Sequence, residues 1–498
     1  MIKLKYNNVS WLFHLKDPVK TALEEQKVQT RCTDTKPQFK LAFTLLAVVQ
    51  ATLIFTIVMI GIPLPDIGVE FGLNSADLLL VSTAYGLSFS GLLLFGGRLT
   101  DKFGGRKLLS IGLCLFGLAS VGAAFSSHFS VMVMMRFLQG AGAAMTAPAA
   151  VAVLRTLFPQ PEDFMRAMAT WGGVSVLGGG VGFLASGVVT TWVSWRWMFV
   201  APVLVALVGL AAVAWLLPKD DEQAASHQSG LDPIGALLAT LGIALGSYGL
   251  IASGEFAWSS PMVFGPLISG VCLLSLFFWV ERRVKAPLLP PGFVREPHRI
   301  VGLIGILLAS ASMGLVTFLL SLFLQIQQNW TPLETAGAFV PYTLTLLLMN
   351  RAASGIVSRF GPLKVTIFGL LIGSAGLALL SGIHPQVVYT SGLLPGIVAL
   401  TIGTSMMFAG SAVLSTMHVP QQQAGLAGGV MNTSMELGPT FGLASLMAVA
   451  GFAPNVVSGY GLAFGTASGV YLFAAGLAWF LTRRKSQLMK TVVAGEAG

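Results

Sequence analysis

The sequence predicts an all-α polytopic membrane protein of fourteen transmembrane helices. Three observations carry that expectation. Of the 498 residues, 54% are hydrophobic and only 10% charged, whereas a soluble domain carries about 25% charged residues. Apolar runs of about 20 residues, each long enough to cross a ~30 Å hydrocarbon core, recur along the chain. The joints between those runs alternate between rich in Lys and Arg and almost free of them.

The runs centre near Val49, Ser88, Leu115, Ala143, Gly178, Ala206, Leu241, Val271, Ser312, Thr345, Gly373, Gly403, Gly438 and Phe473. An even count puts both chain ends on one side. The N-terminal tail, Arg98–Lys107, Arg155–Arg166, Lys219–Asp232, Glu281–Arg299, Arg359–Lys364 and the tail from Arg483 share that side. They hold all but about three of the 29 Lys and Arg, and such residues mark the cytoplasmic face. A multi-pass protein of the cell membrane with both termini cytoplasmic is therefore expected. The net charge of +9 follows from this topology, so no nucleic-acid partner is expected.

Residues 1–39 are polar and mixed in charge. The apolar run from Lys40 is too long for the core of a signal peptide and leads into further spans, so an uncleaved cytoplasmic extension is expected. Cys32, Cys114 and Cys272 are widely spaced without a CxxC pair, which argues against a disulfide framework or a zinc site. The sequence contains no GxSxG or HExxH and no paired metal spacing. Neither an enzyme nor a bound cofactor or metal is expected.

The stretch GGRLTDKFGGRK, Gly96 to Lys107, places five charges between two apolar runs. It is not a phosphate-binding loop, because G-x-x-x-x-G-K-[ST] is absent and no strand precedes it. It has an echo in SGIVSRFGPLK, Ser354 to Lys364, with Phe103-Gly104 matched by Phe360-Gly361. If spans 1–6 and 9–14 are equivalent halves, both copies join the second and third helices of a half. Spans 7 and 8 are then an insert. The expected organisation is 6+2+6: a tail at 1–39, a six-helix bundle at 40–218, two inserted helices with their joints at 219–299, a second bundle at 300–483 and a tail at 484–498. Repeated halves are the usual build of secondary transporters, whose substrate sites lie near the midplane.

Four stretches make the chain resemble the major facilitator superfamily, and within it the fourteen-span drug:proton antiporter family 2. Gly97-Arg-Leu-Thr-Asp101-Lys-Phe-Gly104-Gly-Arg106-Lys107 is similar to the loop motif G-x-L-x-D-x-x-G-x-[RK]-[RK]. Arg136-Phe-Leu-Gln139-Gly140-Ala-Gly142 resembles R-x-x-Q-G-x-G in span 4. Trp195-Arg196-Trp197-Met-Phe199 opens span 6, and Leu231-Asp232-Pro-Ile-Gly235 opens span 7. Two stretches depart from the family. Ile54 and Met59 stand where span 1 usually has an acid and an asparagine. Span 5 reads Gly182-Phe183-Leu-Ala-Ser186-Gly187 instead of G-P-x-x-G-G. Both altered features are associated with antiport, so the resemblance supports the fold and a transport role more than it supports proton coupling.

Residue chemistry names the candidates. Asp101 among cations, with Gly97, Gly104, Arg106 and Lys107, suits a charged latch that breaks and reforms as bundles rock; a plain cytoplasmic anchor needs only the basic residues. Charges inside a bilayer are costly and functional by default. Glu436 is the deepest of these, suited to carrying a proton or countering a cationic substrate. Arg136 is a second such residue, although its acid partner in the resemblance is missing. Phe55, Tyr85, Gln139, Trp171 and Asn432 are candidates for the cavity wall, each also consistent with packing. Gly140, Gly178, Gly182 and Gly187 suit close helix approach.

The expected function is export of small amphipathic compounds or drugs, including antibiotics, by proton antiport through alternating access. The expected partners are a small-molecule substrate and the lipid bilayer, with the proton gradient as energy source and a monomeric state. The alternatives are a proton-independent facilitator on the same fold and, less favoured for want of a soluble output domain, a membrane sensor.

Overall fold

The computed structural model describes residues 37–217, 232–253, 256–284, 287, 293, 296–417, 419 and 424–496. Residues 1–36, with Cys32, lie outside them. The described regular structure is helical, with no strand among the described residues. The N-terminal part contains α1 (Pro37–Val58), α2 (Leu64–Phe71), α3 (Ser75–Phe103), α4 (Gly105–Ala124), α5 (Phe129–Leu157) and α6 (Pro161–Trp192). A 3-10 turn, Trp195–Phe199, then leads into α7 (Val200–Trp215). The middle pair is α8 (Pro233–Ala252) and α9 (Pro261–Glu281). The C-terminal part contains α10 (Pro297–Leu322), α11 (Pro332–Ala338), α12 (Val340–Phe360), α13 (Pro362–Leu380), α14 (Leu394–Thr416), α15 (Ala424–Leu437), α16 (Leu443–Ala450) and α17 (Val456–Glu496).

Each of the segment centres read from the sequence falls inside a helix. Among the described residues, eleven helices are long and apolar enough to cross a membrane. Three rods at expected spans fall outside that number. In α6 the described apolar stretch is Leu177–Trp192, shorter than a span. The second, α12, carries Asn350, Arg351 and Arg359. The third is broken into α15 and α16 by a π turn, Gly438–Gly442, at Pro439, which cannot donate to the helical ladder. The final helix runs on to Glu496, so the expected tail boundary at 483 falls within it.

The sequence echo is a structural one. Gly104 ends α3 and opens α4 with φ 89° and ψ 148°. Gly361 ends α12 and opens α13 with φ 83° and ψ 148°. A positive φ of this kind is open to glycine and strained for other residues, which explains why both copies keep this glycine. Lys102 and Lys107 sit over the Phe103 ring at 5.5 and 5.7 Å, and Arg359 sits over Phe360 at 5.4 Å.

Packing repeats the same symmetry. α4 lies against α5, and α13 against α14. A Cβ on Gly112 would stand 2.5 Å from Thr146 Oγ1, and one on Gly410 would stand 2.5 Å from Thr366 Oγ1. Small residues thus let backbones touch where lipid offers no hydrophobic drive between helices. Across the two parts, α3 packs on α15, and α6 packs on α11 and α12. The inserted pair is not peripheral: α8 lies against both α3 and α16, with Trp258 stacked on Phe452 at 5.7 Å.

The two ends of the molecule differ. At the sparsely charged end one apolar cluster runs through both parts, including Met59, Ile62, Leu64, Phe183, Phe318, Phe323 and Phe339. There the Gln325 side chain donates to the Ile62 carbonyl at 2.8 Å. At the basic end α12 has no buried residue on any face. A Cβ added at Gly97, Gly355 or Gly428 would meet nothing within 4 Å. The shared apolar cluster thus joins the two parts at the first end.

Candidate functional site

Arg136 lies in the second turn of α5 and is fully buried. Its Nη1 donates to the Thr56 carbonyl at 3.2 Å and to Gln139 Oε1 at 2.9 Å. The Gln139 amide in turn donates to Ser120 Oγ at 2.7 Å. The spacing of the R-x-x-Q motif explains the first link, since residues three apart share a helix face. Tyr85 of α3 covers the guanidinium, its ring centroid 5.1 Å from Cζ. Its hydroxyl donates to the Leu53 carbonyl at 3.2 Å. Arg136 Nε and Nη2 are buried with no hydrogen-bond partner among the described residues. A charged group left short of acceptors in a dry site is costly, so this guanidinium is poised for an anionic or carbonyl partner.

Glu436 supplies a buried carboxyl on the other part of the molecule. It is 4% exposed and lies just before the π turn of the α15–α16 rod. No ion pair or side-chain hydrogen bond joins it to another described residue. Beside Tyr85, a Cβ on Gly86 would stand 2.6 Å from Thr440 Cγ2, which shows how closely α3 meets the Glu436 rod. Tyr85, which covers Arg136, thus lies on the helix that meets the Glu436 rod. Ile54 faces elsewhere, its Cγ2 lying 3.7 Å from the Cβ position of Gly179 on α6.

The other candidates divide. Gln139 belongs to the Arg136 network, and Phe55 joins the closed apolar cluster with Phe183. Trp171 packs in a separate cluster with Ala42, Leu46 and Val213, away from the Arg136 group. Asn432 is half-buried on α15, one turn before Glu436. The α6 glycines face two ways. Cβ atoms on Gly178 and Gly182 would meet Ala51 and Phe55 of α1, at 2.3 and 3.4 Å, while one on Gly187 would meet Ala336 of α11 at 2.3 Å.

The Asp101 cluster is spread out in this conformation. Arg98 donates to the Pro287 carbonyl at 2.7 Å, and Arg106 donates to the Val213 and Ala214 carbonyls at 3.0 and 3.1 Å. Asp101 is exposed and makes no ion pair or hydrogen bond with another described residue. Partial shielding by the helix end raises its pKa above the usual aspartate value, and the Arg98 charge acts in the opposite sense.

Two features escaped sequence reasoning. Asp232 caps α8, accepting from the Gly235 amide at 2.7 Å, so that motif acid has a structural task. Glu70 was not singled out at all. It accepts from Arg196 Nη1 at 2.7 Å and from Trp195 Nε1 at 2.8 Å, while Arg196 also donates to the Ser126 carbonyl at 2.9 Å. The Trp195-Arg196 motif is thus a clamp joining three joints at the closed end. A signal was present, since Arg196 is a rare basic residue on that side and the first joint there carries three acids, Asp66, Glu70 and Asp77. The Arg196 hydrogen bond, opposed by burial, holds the Glu70 pKa below its usual value. A lowered carboxylate pKa stabilises above the unfolded pKa and is lost as pH falls through the folded one. Glu70→Gln is expected to cost about 1 kcal/mol or less at pH 7, the pair being partly exposed. Thermal unfolding checks it: the difference from the parent should vanish below the ordinary glutamate range.

Two helical parts with matching glycine turns, each carrying a buried charged residue, Arg136 in one and Glu436 in the other, have the build of a secondary transporter. Comparison with known proteins narrows the class. The family model described as Major Facilitator Superfamily matches residues 44–443. The chain is 34% identical over 468 residues to the puromycin resistance protein pur8 of Streptomyces alboniger, covering 90% of this chain and 91% of that one. It is 30% identical over 444 residues to the lincomycin resistance protein of Streptomyces lincolnensis, covering 88% and 90%. It is 33% identical over 430 residues to the cephamycin export protein CmcT of Amycolatopsis lactamdurans, covering 85% and 88%. A crystal structure of the nucleoside transporter NupG, in a mutant form, superposes with a TM-score of 0.63 at 11% identity, covering 89% of this chain and 99% of that one. This chain belongs to the major facilitator superfamily and is a multi-pass membrane protein.

Proposed function

We propose that the protein exports small amphipathic compounds of the antibiotic type by alternating access, coupled to proton entry through Glu436. The reading of the substrate class draws on relatives named for resistance to puromycin and lincomycin and for cephamycin export. The single observation behind the mechanism is a cation short of acceptors, Arg136, and an unpaired carboxyl, Glu436, buried on opposite halves. Ionised Glu436 is attracted towards Arg136, which draws the halves together. Protonated Glu436 loses that attraction and lets them part. A proton thereby biases a two-state element, as coupling requires. With the basic end taken as cytoplasmic and the opposite end sealed by the shared apolar cluster, the present state is read as the one that loads substrate from inside the cell.

A proton-independent facilitator is the second reading, favoured by Ile54 at the position of the usual span 1 acid. Uptake of a fluorescent dye into inverted vesicles with an imposed pH gradient separates the two. Export by antiport predicts that collapsing the gradient stops accumulation; unchanged transport establishes the facilitator.

The latch is proposed to be asymmetric. Asp101 is free to engage when the basic end closes, whereas its counterpart Ser358 donates to Gly355 within its own helix at 3.0 Å. Asp101→Ala is expected to slow initial transport rates about tenfold, equivalent to about 1.4 kcal/mol. Ser358→Ala should leave them within a factor of two. Equal rates for both variants in reconstituted vesicles count against the latch.

A further inference from the structure

The far end of α10 is irregular, and one side chain there leaves its own part of the molecule. A π turn, Phe323–Gln327, follows the last α-helical residues and is closed by the Gln328 amide on the Phe323 carbonyl at 3.2 Å. Such turns are rare and occur mostly at functional sites. Asn329 then ends the helix with φ 56°, the single positive φ outside glycine among the described residues. The chain around it is held by the C-terminal part. The Gln328 side chain donates to the Val387 carbonyl at 2.6 Å, and Trp330 packs against Tyr389 with centroids 5.5 Å apart. Gln325, inside the π turn, reaches across to the N-terminal part instead.

Thr317, Ser321 and Gln325 recur at intervals of four and so share a helix face. That face lies on the turn between α1 and α2. A Cβ on Gly61 would stand 2.8 Å from Thr317 Cγ2 and 4.0 Å from Ser321 Oγ. The Gln325 amide donates to the Ile62 carbonyl at 2.8 Å and lies 3.4 Å from the Ser321 carbonyl of its own helix. The Ser321 hydroxyl is fully buried and has no hydrogen-bond partner among the described residues. A buried hydroxyl left unpaired is costly, and this one stands beside a donor that is engaged elsewhere.

We infer that Gln325 and Ser321 form a two-position latch at the sparsely charged end, separate from the Asp101 cluster. In the present state the amide holds the Ile62 carbonyl and ties the two parts together. When the parts separate, that carbonyl leaves with α1. The amide turns back along its own helix and takes the Ser321 hydroxyl, which lies within the same turn. One donor thus serves both states, and the hydroxyl unpaired in the first is satisfied in the second. This brings the two states closer in energy, so that a modest differential interaction can shift the balance between them. The inference rests on the alternating-access part of the export reading, but it concerns an equilibrium that is measured without substrate or gradient.

Spin labels at Val69 and Val388, exposed residues of opposite parts at this end, report the separation by pulsed electron spin resonance. The full-length protein is held in lipid nanodiscs, with Cys32, Cys114 and Cys272 replaced by serine. Gln325→Leu is expected to raise the ratio of long to short distances about fivefold. Ser321→Ala is expected to lower it about threefold, because only the separated state loses a partner. In the Gln325→Leu background Ser321→Ala should leave the ratio unchanged, since the donor that couples the two positions is gone. Shifts of the same sign in the two single variants, no shift in either, or an undiminished Ser321→Ala effect in the double variant overturns the latch. Opposite shifts in a protein that moves no ethidium across reconstituted membranes sink the export reading and leave the latch standing.

Discussion

Glu436→Gln is expected to reduce gradient-driven export by about a hundredfold or more, a barrier change of about 2.7 kcal/mol, while probe binding stays within about threefold. Glutamine copies the shape of the protonated carboxyl and cannot ionise. In the proposed cycle the neutral form still lets the halves part, so exchange of bound probe for free probe continues. The step that fails is the one in which the ionised carboxylate is drawn towards Arg136. Its Nε and Nη2, buried without an acceptor, make that attraction strong in a dry interior. Uptake into reconstituted vesicles with an imposed pH gradient, run beside equilibrium exchange, separates the two steps. Full gradient-driven activity in the variant removes Glu436 from the coupling role.

Gly140→Ala is expected to be the most damaging of the small substitutions. A methyl at this position would stand 2.1 Å from the Tyr85 carbonyl oxygen and 2.2 Å from Ser88 Oγ. The first obstacle is backbone and cannot rotate away. The second is held by its own hydrogen bond to the Phe137 carbonyl at 2.6 Å. α3 and α5 must therefore separate, at a cost of about 1–3 kcal/mol for overpacking. The separation also lifts the Tyr85 ring from Arg136, so transport should fall together with stability. Gly97→Ala is the control, since its Cβ would meet nothing within 4 Å; its stability should change by no more than about 0.5 kcal/mol. Thermal unfolding of the solubilised protein, with export rates alongside, checks the pair. Matching unfolding temperatures for the two variants contradict the close crossing.

The helices were legible because a bilayer demands long apolar runs, and nothing else in the chain imitates them. The Phe103-Gly104 and Phe360-Gly361 echo was legible because a positive φ leaves its mark as glycine. Arg136, Gln139 and Gly140 could be placed on one helix face from their spacing alone. What Arg136 faces could not, because Tyr85 lies on another helix and covers the guanidinium only once α3 and α5 have packed. The short helices α2 and α11 were missed for a related reason. Each is shorter than a span and lies within a joint, so a reading built on apolar runs of about 20 residues passes over it.

The placement of the inserted pair carries a mechanical consequence. α8 touches α3 on one side and α16 on the other, and a Cβ on Gly91 would already stand 3.0 Å from Thr240. A body gripped by both moving halves behaves as an idler between two gears. Its width sets how far either half can roll before the other must follow. Exporters that carry such a pair thereby gain a built-in limit on stroke, and exchanging the bulk of residue 240 offers a way to tune the amplitude of the cycle without touching Arg136 or Glu436.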